Sequence, residues 1–591
     1  MLCEIDLDQL DATATPTRTV TGDWNAPGLR LQPGHATADI ALADGTLLIL
    51  RGRARDGDTP LTAAQLAARH ARAGAAFLDS LRGSFALALI DCTTARVLLA
   101  NDRMGTHGWC YRLDGARIAF ATRADALGNA DRIDPQALFT YLLYYMIPAP
   151  ATVFRDVHRL PPAHCLRLDR TGVELRPYWQ PLFQEPAHAD FAALRDEFRQ
   201  LLEQAVQREA QTGGQVGTFL SGGTDSSTVS GLLARSRSAP VHAYSIGFDA
   251  DGYDEMAYAR IAATHFGLEH RAYYLTPDDV RDSMPQVACH YDQPFGNSSA
   301  VPAYHCARIA RADGIDTLLA GDGGDELFAG NARYARQRIL GGYEQLPAAL
   351  RQHVLEPLAA SPRVARLPLI GKLASYVQQA RVPLPERLHR YNLLMQLGPE
   401  RVLSAAFRQR IDPAQPDRDQ HAAYWQLPEA APLNRLLAYE WKHTLADNDL
   451  PKVCGTAALA GITVAFPLLA DELIDFSLRL PVAYKLKGLR LRWFFKEALR
   501  EFLPAAIITK KKQGFGLPFG VWTLRHAALR HLAFDALDSF AGRNIVDAHF
   551  LEQLKTELLA AHPGYYGELV WILAMLEFWL RDHAPDYQLA R

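Results

Sequence analysis

Between residues 30 and 125 the chain alternates short apolar runs with turn residues: ATADIAL, GTLLILRG, GSFALALIDC, ARVLLAND and GARIAFAT each read as a strand. The pattern predicts a mostly β first domain. A Pro-punctuated polar stretch around 178–191, YWQPLFQEPAHADF, then gives way to helical periodicity in AALRDEFRQLLEQAVQREA. That switch divides the chain into a first domain over residues 1–184 and a second over 185–591. In the second, the strand-like runs QVGTFL, VHAYSIGF and DTLLAG alternate with the helical patterns SSTVSGLLARS, YDEMAYARIAATHFG and PAYHCARIARADG. Such alternation predicts a parallel sheet with crossover helices, whose ligand belongs at the carboxyl ends of the strands. From about 335 onward the pattern is mainly helical, without internal repeats.

Composition narrows the function. The 591 residues exceed what one core supports, so the two-domain reading stands on length as well. Basic and acidic side chains number 62 and 65, which offers no electrostatic footprint for nucleic acid. Seven scattered cysteines without a CxxC pair predict neither a zinc site nor a disulfide framework and suit a reducing cytoplasm. No signal peptide is visible at the start. The most apolar late stretch, GELVWILAMLEFWLR over 567–581, is interrupted by Glu577 and falls short of the roughly 20 residues of a membrane span, so it is expected to be a packed helix.

Three stretches carry chemistry. In FLSGGTDSSTVSGLLA (219–234) a strand, a loop with Gly222 and Gly223, and a helix follow one another. Small residues let backbone N–H groups approach phosphate, and the helix N-terminus adds partial positive charge. Ser221, Ser226 and Ser227 supply hydroxyls, whereas Asp225 would repel an anion unless it holds Mg2+. The loop lacks the GK[ST] ending of a Walker A. In LLAGDGGDELFAG (318–330), Asp322, Asp325 and Glu326 offer the other half of a magnesium site or a polar substrate wall. In TKKKQGFGLPFG (509–520), Lys510 and Lys511 read as a solvated face, while the glycines around Lys512 would let the backbone turn that lysine toward phosphate.

These stretches, in this order, resemble the asparagine synthetase family. YDEMAYARIAATHFGLEH, YDQPFGNSSAVPAY, YKLKGLRLRWFFKEALREFLP and the terminal LAMLEFWLR are similar to the same family. The resemblance implies a mixed α/β and α+β chain: an N-terminal glutaminase-like (Ntn-type) β-rich sandwich, then a PP-loop α/β synthetase domain with a helical extension. It also implies that ATP and Mg2+ are used to adenylate a carboxylate, after which an amine attacks the acyl-adenylate. On it, Ser221, Gly223, Asp225 and Ser226 would hold pyrophosphate, and Asp225 and Asp325 would bind Mg2+. Ile246 and Gly247 would lie near adenine, Lys512 would stabilise developing charge, and Asp322 would be a polar or base residue at the reacting centre.

LRGSFALALID, VLLANDRMGTHGWCY and IAFATRADAL are similar to later strands of the family's glutaminase domain, yet its chemistry is missing. The family nucleophile is a cysteine freed by loss of Met1, with its own amine as base. Here Cys3 follows Met1-Leu2, Glu4 replaces a small glycine, and Arg51-Gly52-Arg53 stands where relatives read N-G-E. An inactive, structural first domain is therefore expected. The second domain departs too: Lys452-Val453-Cys454-Gly455 replaces K-V-D-R, Val464-Ala465-Phe466-Pro467 lacks the arginine before P-F-L-D, and Gln293 replaces an acid. Without those arginines a free aspartate loses its grip.

An intact adenylating half beside a disabled ammonia source points to another amine. The first specific expectation is a lasso-peptide macrolactam cyclase, joining a precursor peptide's N-terminal amine to an Asp or Glu side chain, with a leader peptidase as partner. The alternatives are an ammonia-using synthetase acting on aspartate or on a polysaccharide or other small-molecule carboxylate, a β-lactam-type synthetase, and a non-catalytic scaffold.

Overall fold

The computed structural model describes residues 1–10, 15–19, 22–34, 37–186, 188–211, 213–250, 252–360, 368–388, 392–511 and 516–590. Two antiparallel sheets face each other in the first domain. The strand Leu2–Asp6 lies inside one of them, with Cys3 opposite Phe120 on one side and Leu31 on the other. The long strand Thr46–Asp56 lies inside the second sheet. Its unbroken TLLIL run is explained by burial on both faces. Leu47 and Ile49 enter the sandwich with Cys3, Ile5 and Phe120, while Leu48 and Leu50 pack with Leu66, Phe77 and Leu78 on the other side. Leu66 comes from the helix Ala63–Ala73, which Thr62 and Gln65 start with a capping box.

The last sandwich strand ends at Pro177, and the helix Phe191–Glu209 opens the synthetase half on an Asp190 N-cap. There five parallel strands are ordered Glu269–Leu275, His242–Phe248, Val216–Phe219, Thr317–Leu319, Thr463–Ala465. In chain order that is 3-2-1-4-5, and the direction of winding reverses between Val216–Phe219 and Thr317–Leu319. A doubly wound sheet leaves a crevice at that point, outside the carboxyl ends of the strands.

Burial and ion pairs lock the two halves together. Asp471, only 4% exposed at the start of the helix Asp471–Arg479, meets Arg103 Nε at 3.2 Å and Arg55 Nη2 at 3.5 Å. It also accepts from the Gly83 backbone N–H at 2.6 Å. The apolar late stretch is the helix Pro563–His583, packed from Leu569 to Leu580. Its Glu577, fully buried, is held by Arg543 and Arg581, each at 3.0 Å, and by Ser539 at 2.5 Å. No helix among the described residues is long and apolar enough to cross a membrane.

Candidate active site

The loop after Val216–Phe219 turns sharply into the helix Thr224–Ser236. Gly222 has φ +68°, and a Cβ there would stand 2.5 Å from the Tyr258 carbonyl carbon, so no other residue fits. Gly223 is the N-cap and offers no side-chain acceptor, which leaves first-turn N–H groups free for an outside anion. The hydroxyls of Ser221 and Ser226 lie 3.0 Å apart, and Ser226 Oγ accepts from the Ser221 N–H at 3.2 Å. Together they shape a small concave loop lined with donors. The Ser227 hydroxyl is buried and finds no hydrogen-bond partner among the described residues.

The second acidic loop follows Thr317–Leu319, the neighbouring strand across the switch point. It comes so close that a Cβ on Gly324 would be 2.6 Å from the Asp225 carboxyl carbon. Asp225 and Asp325 each lie in the first turn of a helix, and one guanidinium joins them. Arg492, in the left-handed region at φ +52° and 4% exposed, reaches into the crevice ahead of the helix Trp493–Ala498. Its Nη1 donates to Thr224 Oγ1 at 2.5 Å and to Asp225 Oδ1, and its Nη2 reaches Asp225 Oδ2 at 2.7 Å and Asp325 Oδ1. Two carboxylates that converge on one positive centre form a hard oxygen donor set suited to Mg2+, which takes one or two carboxylates and fills its shell with water and phosphate oxygens. Among the described residues no group of three or more His, Cys, Asp or Glu converges as a metal site, so phosphate oxygens would be needed to complete this one.

Asp322 lies deeper in the same crevice. Burial pushes its carboxyl up to about 6, with Asp449 and Asp225 adding to the rise and Lys452 opposing it. Lys452 Nζ is 2.8 Å from Asp449. Burial alone would lower that amine, but Asp449 and Asp322 outweigh it and strengthen its hold on the proton. Asp449 ends a π-helical turn, Trp441–Asp449, and Lys452 sits in the helix Leu450–Leu459 that continues from it. Such widened turns re-aim side chains and are frequent at functional sites.

Ile246 and Gly247 stand near the carboxyl end of His242–Phe248, the strand next to the phosphate-type loop. Lys512 lies outside the described residues. Lys511 is exposed as expected, but Lys510 is not part of a solvated face. Its amine lies 3.1 Å from Glu255, 3.5 Å from the Gly222 carbonyl and 4.6 Å from the Tyr258 ring centroid. The charge run misled because Gly222 brings the loop backbone and Tyr258 together, and the lysine covers that junction.

Sequence reasoning also missed Arg492. It stood inside a stretch read as helical, with no spacing rule to single it out. Only the tertiary approach of the 485–498 segment carries it between the two acids.

The asparagine synthase family model matches residues 197–581, which include every one of these loops. The chain belongs to the asparagine synthase family. It is therefore an ATP-dependent, AMP-forming C–N ligase that makes amide bonds by asparagine synthetase-type chemistry. A glutamine amidotransferase domain model matches residues 57–179. A putative asparagine synthetase [glutamine-hydrolyzing] of Mycobacterium bovis is 27% identical over 529 residues, covering 86% of this chain and 77% of its own. Asparagine synthetase [glutamine-hydrolyzing] 1 of Bacillus subtilis is 24% identical over 532 residues, with 89% and 80% covered. The amidase chyE of Penicillium rubens is 28% identical over 278 residues, 44% of this chain and 41% of its own.

Cys3, compared above with the family's glutaminase nucleophile, lies in the core of the first domain. Cys3 is 0% exposed, points between the sheets, and burial pushes its thiol well up, away from the thiolate a nucleophile needs. The terminal amine belongs to Met1 and lies 3.5 Å from Thr122 Oγ1. Arg51 donates to the Gly108 carbonyl at 3.1 Å and stands over Trp109, and burial beside it pushes His107 down to about 4.

Proposed function

We propose that this chain adenylates a carboxylate and passes the acyl group to a ready-made primary amine, not to ammonia released by its own first domain. The specific reading is macrolactam formation: a precursor peptide's N-terminal amine attacks an adenylated Asp or Glu side chain, as in lasso-peptide cyclases. A leader peptidase would then supply the free amine. The observation that carries this reading is the fully buried Cys3, whose thiol faces the sandwich core.

In the first step a carboxylate oxygen attacks the α-phosphorus of ATP, and pyrophosphate leaves. Ser221, Ser226 and the N–H groups around Gly222 and Gly223 would grip the departing phosphates, with Ile246 and Gly247 beside the adenine. Mg2+, which Asp225 and Asp325 would hold, supplies positive charge to that leaving group. Lys510, 3.5 Å from the Gly222 carbonyl, and Lys512, by the family resemblance, would add fixed cations where charge develops. In the second step the amine nitrogen attacks the acyl carbon, AMP leaves, and Asp322 takes the amine proton while Lys452 and Asp449 orient it. The boundary between sandwich and synthetase is drawn near residue 185.

A second reading, ammonia-dependent amidation of aspartate or a polysaccharide or other small-molecule carboxylate, is supported by the names of the bacterial relatives. Gly455, in place of the arginine of K-V-D-R, and the arginine-free Val464-Ala465-Phe466-Pro467 stand against it, since neither offers the cation a second carboxylate calls for. The deciding experiment incubates the full chain with Mg-ATP and a precursor peptide freed of its leader. Loss of one water from the peptide, abolished by Asp225→Ala, is the expected result. Glutamine-dependent formation of asparagine would overturn the proposal.

A further inference from the structure

The last strand of the first domain, Gly172–Pro177, forms one edge of its sheet. It pairs antiparallel with His164–Asp169 on one side and with no strand on the other. The Tyr178 N–H, which extends this ladder past Pro177, donates to the Ala163 carbonyl at 2.9 Å. Backbone groups alternate in direction along a strand, so those of Glu174 and Arg176 also face the ladder, and those of Val173 and Leu175 face out. Among the described residues no backbone bond outside the ladder involves Val173 or Leu175. Their side chains stand opposite Leu168 and Leu166 of the sandwich core, yet they are 52% and 42% exposed, so they form an open apolar rim. Glu174 and Arg176 share the other face, 3.8 Å apart and half exposed.

An edge with free backbone groups and bare apolar side chains is a template for another strand. The charges on this one select a second copy of itself. In an antiparallel pair of identical strands, residues equally far from the two-fold axis on either side stand opposite each other. An axis at Val173 would set Arg176 against Arg170, one at Glu174 that acid against itself, and one at Arg176 that cation against itself. An axis at Leu175 sets each Glu174 against an Arg176. Opposite charges facing across strands attract, and like charges there are destabilising.

We infer that Gly172–Pro177 is a surface through which two copies of this chain associate, antiparallel about a two-fold axis at Leu175. The two Leu175 residues exchange backbone bonds, and each Val173 N–H reaches the Pro177 carbonyl of the second copy. Pro177, without an N–H to offer, ends the ladder there. The apolar rims of the two sandwiches join, and the Glu174 and Arg176 side chains pair across the outer face. A strand of six residues buries less than the roughly 1,200 Å² of a stable interface, so the dimer is weak and reversible.

Sedimentation velocity of the full chain between about 1 and about 200 µM tests this, the range in which so small an interface dissociates. The sedimentation coefficient of the wild type is expected to rise with concentration toward that of a dimer. Leu175→Pro removes an N–H that points away from the sheet, so the fold keeps its ladder while dimerisation weakens at least about tenfold. Glu174→Arg and Arg176→Glu are each expected to weaken it at least about fivefold, and the double variant, with the charges exchanged, to recover the wild-type affinity. Both charges are exposed, so these variants decide the matter even if Leu175→Pro fails to fold. A chain that stays monomeric over the whole range would overturn the assignment. So would association that the single charge changes leave untouched, or that the exchange does not restore.

Discussion

Arg492→Met removes the guanidinium that joins Asp225 to Asp325 and keeps a side chain of similar length. The arginine side chain is 5% exposed, and its two acids are 16% and 14% exposed. Taking one partner from a buried pair costs about 3–5 kcal/mol, and the residual exposure of the carboxylates favours the lower end, about 3 kcal/mol. The two acids would then face each other without the guanidinium that joins them, which strengthens their hold on a divalent ion. Mg2+ at a hundredfold its Kd returns about 2.7 kcal/mol by mass action. In the wild type the ion must first displace the guanidinium, so the gain there is smaller. Urea unfolding followed by tryptophan fluorescence, in EDTA and in Mg2+, is expected to show a variant less stable in EDTA that recovers most of its loss on adding Mg2+. Equal stability in EDTA together with equal Mg2+ responses would refute the idea that Arg492 stands at the metal position.

Asp322→Asn should slow amide formation by about 10^2 to 10^4, the usual worth of a general base, while ATP–pyrophosphate exchange persists. Because folding raises this carboxyl to about 6, the native state holds its proton longer than the unfolded chain does, so stability falls as pH rises from about 4 to 6. The asparagine variant should lose that slope in unfolding measured across this range, and the wild-type rate should climb through pH of about 6. Asp471→Ala removes the acid that Arg55 and Arg103 share and the acceptor of the Gly83 N–H, but leaves Arg55 on Glu472 and Arg103 on Asp475, so it is expected to cost about 1–3 kcal/mol in unfolding experiments. An unchanged midpoint would count against the junction. Cys3→Ala should leave ligation untouched and cost only about 1 kcal/mol of stability for its small cavity, with no ammonia released from glutamine by either protein; measurable glutaminase activity in the wild type would contradict the sealed-core reading.

Much of the fold was legible because periodicity and turn residues agree with burial. TLLILRG and GSFALALID are strands because their apolar positions are needed on the sheet faces. Two strands of the parallel sheet were not read. Glu269–Leu275 is an edge strand, largely exposed, so EHRAYYL carries no apolar run. Thr463–Ala465 has only three residues and earns its place by pairing with Thr317–Leu319. At the site, the glycine loop and both acids could be picked out because each motif is short and contiguous. Arg492 and Lys510 could not, since each acts on partners far away in the chain.

By itself, the sequence determined the order of the two domains, the strand–loop–helix that presents Ser221 to Ser226, and the acids that follow the next strand across the switch point. Those features depend on local spacing, and local spacing is written in the chain. Tertiary structure alone decided that Cys3 faces a closed core, that one arginine joins Asp225 to Asp325, and that Lys510 covers the junction of Gly222 and Tyr258. Charge pairing and burial depend on which distant segments meet, and that is set by packing of the sheets and helices, not by any motif.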